Sequence, residues 1–268
     1  MQNIRTKSNK TFFAIIGAFG FIGKEISGHF EKKRVILIGR KNKKRLHSFF
    51  LKKGQKCVIY LAAYSPPKKP NIEKAISQNV LFLSKTIKKI HNKIDTFIYF
   101  STSKIGDHSC LDQIQKEREK YYYLSKHIAE LLLMDNRHKF KKLLILKIPS
   151  VIGDSFQKNN ISLLIKNCRE NKKVTVPMDK RPFNACTNIK DLFMCCAAAF
   201  ENSKSWVKKL DVGASNSLSL YKIAKMLSRK NKAVSLSSNL NTSRLQSCRQ
   251  TEKFLNVRLS SVQSILNM

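Results

Sequence analysis

Tyr122 and Lys126 stand four residues apart. In a helix that spacing projects both side chains from one face. A free tyrosine has a pKa near ~10, too high to exchange a proton readily at neutral pH. A lysine ammonium close by favours the phenolate and lowers that value. Such a phenol can protonate, or deprotonate, a carbonyl or alcohol oxygen while a hydride moves at the adjacent carbon. In a chain this rich in lysine the same spacing also arises by chance, as an ordinary surface pair. Tyr121 and Tyr123 have the wrong spacing and read as packing residues.

A second chemical signal lies near the start of the chain, in Gly17-Ala-Phe-Gly20-Phe-Ile-Gly23. One glycine allows a sharp turn off a strand. Another leaves backbone N–H groups bare for a pyrophosphate, and a third lets the following helix pack closely. The anion then lies at the positive end of the helix. Gly17, Phe19, Gly20, Phe21, Ile22 and Gly23 are therefore candidates for contact with a dinucleotide. Three glycines in seven residues are a weak signal alone; a strand directly before and a helix directly after make it a strong one.

The elements that must hold these residues follow from the apolar pattern. Strands are expected at Phe12–Gly17, Arg34–Gly39, Cys57–Ala62, Thr96–Ser101 and Lys142–Ile148, each apolar with little alternation, as a sheet buried on both faces requires. Helices are expected at Gly23–Lys32, Ile72–His91 and Arg118–Arg137. In the last, Ile128, Leu131 and Leu132 read as the apolar spacing, with Lys126 and Glu130 on other turns. Strand–helix alternation means right-handed crossovers and a doubly wound sheet. Beyond Gly153 the pattern loosens: helices at Asn159–Asn171, Asp191–Glu201 and Leu218–Ser228, a strand at Lys209–Gly213, and a final turn or helix around Leu255–Leu266. The basic start and apolar Thr11–Gly23 run imitate a secretory signal; the regular glycines favour a core strand.

Taken in order, these pieces resemble the extended branch of the short-chain dehydrogenase/reductase superfamily, the NAD(P)-dependent epimerases, dehydratases and nucleotide-sugar reductases. The glycine spacing is G-x-x-G-x-x-G. Val58-Ile-Tyr-Leu-Ala-Ala63 is similar to the family's V-I-H-L-A-A strand, with Tyr60 in the His place. Asn79 resembles the Asn that opens the fourth helix. Phe100-Ser-Thr-Ser103 with Gly106 resembles the S-S/T strand end, although the loop is shorter and lacks a Tyr. Tyr122-Tyr-Leu-Ser-Lys126, continued by Ala129-Glu130, matches Y-x-x-S-K-x-x-A-E. Lys147-Ile-Pro149 with Gly153, Arg181-Pro-Phe183 through Asp191, Leu210-Asp-Val-Gly213, and Ser243-Arg-Leu245 with Phe254-Leu-Asn256 resemble the remaining segments.

The resemblance implies roles. Tyr122 and Lys126 are catalytic, and Lys126 also holds the nicotinamide ribose. A hydroxyl polarises the substrate oxygen; Thr102 and Ser103 both qualify, Thr102 first, with a strand-end cap as the plain alternative. Dehydratases place an Asp-Glu pair directly after this threonine, where this chain has Ser103-Lys104, so dehydration is disfavoured. Leu61, Ala62, Ala63, Asn79 and Pro149 join the cofactor contacts. Members that use NAD often carry an acid after the second strand; here Gly39 is followed by Arg40 and Lys41. Arg40 can bind a 2′-phosphate with two donors, so NADP is expected and NAD is second.

Composition sets the outer bounds. The 268 residues hold 52 Lys+Arg against 17 Asp+Glu, a formal +35, and are 42% hydrophobic, enough for a real core. That field favours phosphate-rich partners. Its lysines come in short scattered clusters, from Lys32-Lys33 to Lys208-Lys209, which fits a basic solvated surface. Nucleic-acid binding by backbone electrostatics is the rival reading, unsupported by any recognition motif. Seven cysteines without C-x-x-C spacing and six unpaired histidines suggest no metal, no disulfide scaffold and a cytoplasmic setting. No apolar run reaches membrane-spanning length.

The expected fold is α/β: a Rossmann-type doubly wound parallel sheet from residues 1–153 plus about 186–214. A small, partly helical substrate domain would come from about 154–185 plus 215–268. The expected function is reduction of a keto group on a nucleotide-linked sugar or similar small molecule, with epimerisation through a keto intermediate second. A homodimer is the assembly the resemblance allows; nucleic acid is not expected.

Overall fold

The computed structural model describes residues 11–64, 71–90, 94–103, 117–153, 160–170, 172, 174–177, 182–228, 234–237 and 245–266. The chain divides into two compact units: Met1–Lys147 with Phe193–Leu210, and Ile148–Leu192 with Asp211–Met268.

The first unit is built on a six-stranded sheet. Its strands are β1 (Thr11–Ile16), β2 (Val35–Ile38), β3 (Gln55–Tyr60), β4 (Ile94–Thr102), β5 (Phe140–Ile148) and a late strand, Trp206–Asp211, in the order β2-β1-β3-β4-β5-late strand. β1 pairs in parallel with β2 and β3, and β3 with β4. The first strand, which imitates a secretory segment, is a buried core strand: Ala14, Ile15 and Ile16 are wholly inaccessible. The chain leaves β1 toward β2 on one side and builds β3, β4 and β5 on the other. The strand order therefore reverses between β1 and β3, and the carboxyl ends of those two strands are where open α/β sheets form their ligand crevice.

Helices α1 (Phe21–Ser27), α2 (Arg45–Leu51), α3 (Ile72–Ile76), α4 (Phe82–Lys88) and α5 (Glu117–Asp135) connect these strands. The Arg45–Leu51 helix was hidden in the sequence by its lysine-rich approach; Leu46, Phe49 and Phe50 are its buried face. α3 and α4 were expected as one helix and are joined by a π turn, Ser77–Leu81. α5 buries a face that carries charged residues. Leu131 is 53% exposed, whereas Tyr123, Lys126, Ala129, Glu130 and Leu133 are buried. The helix thus turns a lysine and a glutamate into the core. Of the apolar residues at helical spacing, Leu132 packs against the core while Leu131 faces outward, so that spacing does not mark the buried polar pair.

The second unit contains β6 (Ser150–Ile152), α6 (Asn160–Arg169), β7 (Val174–Pro177), β8 (Cys186–Asn188) and the start of α7 (Ile189–Glu201). After α7 comes the late strand, β9 (Trp206–Asp211), followed by α8 (Leu220–Leu227), β10 (Val234–Ser237), α9 (Cys248–Leu255) and α10 (Val262–Leu266). β6 pairs with β8 and β10 with β7, both in parallel. Its core gathers Ile161, Ile165, Phe183, Ile223, Leu227 and Ile265. Asp191, wholly buried, accepts from the Ser260 amide at 2.9 Å and its hydroxyl at 2.8 Å, tying α7 to the C-terminal segment.

Candidate active site

The glycine turn closes the crevice from the β1 side. Ile16 pairs with Tyr60, and the Leu61 amide donates to the Ile16 carbonyl at 2.7 Å, so Gly17 lies against Leu61–Ala62. Gly17 has φ +92, and a Cβ there would stand 2.6 Å from the Ala62 nitrogen. Gly23 faces back onto the turn, where a Cβ would meet the Gly17 carbonyl and lie 2.7 Å from Ala18 Cα. Both positions therefore require glycine for internal packing. Gly20 differs: a Cβ would meet only Gly17 O, at 3.4 Å. Its bare backbone faces open space, the condition a pyrophosphate needs. These residues fit a dinucleotide.

Phe19 is 57% exposed and lies against Gly39, where a Cβ would stand 2.8 Å from ring atom Cε2. It also lines a shallow cavity of about 560 Å³ along the β2 edge, with Val35–Leu37, Arg45 and Ser48 of α2, and Lys52 just beyond it. That groove follows the edge strand and does not include Tyr122 or Lys126. After Gly39 the chain makes a 3₁₀ turn, Arg40–Asn42. The Asn42 side chain accepts from the Gly39 amide at 2.6 Å and donates to the Leu37 carbonyl at 2.9 Å. It thereby fixes the backbone on which Arg40 and Lys41 stand. Asn42, four residues past the end of β2, was not singled out from the sequence, although Asn close after a strand is a known turn signal.

On the other side of the crevice, α5 lies against β4. Tyr122 is half-buried, its ring 5.4 Å from that of Tyr123. Burial, reinforced by Tyr123, pushes its phenol above the ordinary tyrosine range. Lys126 is 2% exposed, and its ammonium donates to the Phe100 carbonyl at 2.5 Å and sits 4.2 Å from the centre of the Tyr99 ring. Burial pulls its pKa down to about 7, while Glu130 pushes it back up. Thr102, which ends β4, and Ser103, the residue after it, are 9% and 8% exposed and stand two and three residues beyond that carbonyl. Gly106 lies outside the described residues, as do Arg181 and Ser243.

Asn79 sits in the π turn and is 1% exposed. π turns inside helices recur at functional sites. Its side-chain oxygen accepts from the Tyr64 amide at 2.6 Å, and its nitrogen donates to Ser125 Oγ at 2.8 Å. Ser125 in turn donates to the Tyr122 carbonyl at 2.7 Å. One buried amide thus links the segment after β3 to the helix that carries the Tyr–Lys pair. Ser125 and Tyr64 were not singled out from sequence, because only the fold brings them to Asn79. Pro149 falls within the second unit; the other candidates belong to the first. Among the described residues no cluster of His, Cys, Asp and Glu could hold a metal, and no helix is long and apolar enough to cross a membrane.

The solved structures similar to this chain share its fold at low identity. UDP-glucuronic acid 4-epimerase from Bacillus cereus, in complex with UDP-glucuronic acid and NAD, aligns with a TM-score of 0.69 at 18% identity over 96% of both chains. UDP-N-acetylglucosamine 4-epimerase from Bacillus cereus gives 0.67 at 16% identity, covering 97% of this chain and 96% of that one. MoeE5, in complex with UDP-glucose and NAD, gives 0.71 at 16% identity over 96% of each chain. No curated protein sequence is significantly similar. The model of the NAD dependent epimerase/dehydratase family matches residues 13–214, well over half of the chain. With the glycine turn at the β1–β3 crevice and the Tyr–Lys helix beside β4, this chain belongs to that family of NAD(P)-dependent enzymes.

Proposed function

We propose that the chain epimerises a nucleotide-linked sugar through transient oxidation at one carbon. Keto reduction stood first on sequence grounds. Solved neighbours that are UDP-glucuronic acid 4-epimerases, one holding UDP-glucuronic acid with NAD and another NAD, favour the other order. The observation that carries the reading is Lys126, buried on α5 with its ammonium on the Phe100 carbonyl, on the helix face it shares with Tyr122. A bound nicotinamide would supply the hydride acceptor and donor. Tyr122 takes the proton of the sugar hydroxyl as the carbon is oxidised and returns it when the carbon is reduced on its other face. Thr102 steadies the same oxygen through its hydroxyl, with Ser103 as the alternative. An ammonium has three donors; with one on Phe100 O, Lys126 can give others to the nicotinamide ribose and supply the charge that favours the phenolate. The Gly17–Gly23 turn would cradle the pyrophosphate, and Ala62, Ala63 and Asn79 would line its far wall. The second unit would form the sugar pocket.

The test separates the two redox modes. The purified chain is incubated with UDP-glucuronic acid or UDP-glucose and a dinucleotide, and the sugar is followed by proton NMR while reduced cofactor is read at 340 nm. Epimerisation gives two sugar signals at a fixed ratio with no net change in absorbance. Stoichiometric consumption of NADPH with a keto-sugar substrate would establish reduction instead.

A further inference from the structure

Glu130 is one helical turn beyond Lys126 and is 1% exposed. Its two oxygens have separate partners. Oε1 accepts from the Ser101 hydroxyl, and Oε2 meets Lys209 Nζ of β9 at 3.2 Å. Ser101 lies between Phe100, whose carbonyl holds Lys126, and Thr102. A buried ion pair is an expensive way to add stability, since desolvation offsets most of the attraction. The arrangement has a more direct effect on Lys126. A carboxylate at (i, i+4) on the same buried face stabilises the ammonium, and Lys209, bound to Oε2, competes for that carboxylate.

We infer that Glu130 is a positioning residue that sets the charge on Lys126, with Lys209 as the opposing adjustment and Ser101 as the tether to the strand end. The inference rests on the proposed role of Lys126 for its catalytic meaning only; the electrostatic coupling is a property of the chain itself. Other groups around the ammonium are accounted for. Tyr122 shares its helix; Tyr99 from β4 lies beneath it, with Tyr60 of β3 next to Tyr99 at 5.8 Å. Burial pushes the phenols of Tyr60 and Tyr99 upward, so neither is an anion at neutral pH. The π turn contributes the neutral Asn79, and α3 carries only exposed Glu73 and Lys74. Glu130 is therefore the anion that matters.

Chain labelled with ¹³C in lysine and free of substrate is titrated by NMR, with the Lys126 signal assigned by its loss in Lys126→Arg. Its midpoint should lie near 7, far below the surface lysines. Glu130→Gln should lower that midpoint by about one pH unit, because it removes the carboxylate that favours the ammonium, and Lys209→Met should raise it by about half a unit, because it frees that carboxylate from its other cation. If Glu130→Gln does not fold, Lys209→Met, at the partly exposed end of the pair, carries the test alone. An unmoved midpoint, or a downward shift in Lys209→Met, overturns the inference. Because this readout needs no turnover, a loss of the catalytic reading would show separately, as a Lys126→Arg or Lys126→Met variant that keeps full activity.

Discussion

Tyr122 and Lys126 depend on each other for their chemistry. Burial raises the phenol and lowers the ammonium, so each is moved away from the state proton exchange needs unless the lysine charge is kept. Tyr122→Phe should leave dinucleotide binding nearly unchanged and lower kcat by ~10²–10⁴, the usual worth of an acid–base group; retention of most activity would remove Tyr122 from the chemistry. Lys126 also gives a pH signature in stability. Its folded value of about 7 lies below the 10.5 of a free lysine. Between those values the unfolded chain binds more protons, so stability from this group rises with pH across that window. Urea unfolding at pH 7 and 9.5 should show the wild type gaining on Lys126→Met; parallel behaviour would mean that Lys126 is not desolvated. At the end of β2, Arg40 follows a glycine where an acid would repel a 2′-phosphate. NADPH should bind roughly tenfold tighter than NADH, about 1.4 kcal/mol, and Arg40→Asp should erase or reverse the preference. Titration of both reduced cofactors checks this, and equal wild-type affinities would mark Arg40 as composition.

Elements place these residues through contacts that tolerate little change. The turn from β1 into α1 has no room for a methyl group at Gly23, since the obstructing atoms are the backbone of Gly17 and Ala18. Gly23→Ala should therefore cost about 1–3 kcal/mol of folding stability, the range for overpacking, and weaken dinucleotide binding with it. Thermal unfolding and cofactor titration measure the two effects; a variant unchanged in both would show that the turn can relax. The π turn does comparable work at Asn79, whose amide meets Tyr64 and Ser125 at once. Helix α5 is the element least readable from its sequence. Of its regularly spaced apolar residues Leu132 packs against the core and Leu131 is exposed, while the charged Lys126 and Glu130 are buried. A polar pair inside a helix face has no signature in hydrophobic periodicity, because its partners, Phe100 O, Ser101 and Lys209, come from β4 and β9.

At the scale of the molecule the +35 charge is the dominant feature. As a property of a basic surface, it should give weak, sequence-indifferent binding to RNA or DNA that vanishes by moderate salt, since counterions return as each phosphate contact is lost. Gel-shift titrations at ~50 and ~200 mM salt decide this; selective binding that survives the higher salt would favour nucleic-acid recognition. What the chain determined by itself was local. Continuous apolar runs marked the strands, because a doubly covered parallel sheet admits no polar alternation. Glycines at 17, 20 and 23 marked the turn, and the Tyr122–Lys126 spacing marked one helix face, because each depends on backbone geometry within a few residues. The tertiary structure decided everything that needs two distant segments in contact. It set the crevice where Gly17 meets Ala62, the link from Asn79 to the helix, and the inward turn of Glu130 toward Ser101 and Lys209. Buried polar groups select their partners through desolvation and hydrogen bonding across the sheet, and that selection exists only once the strands are side by side.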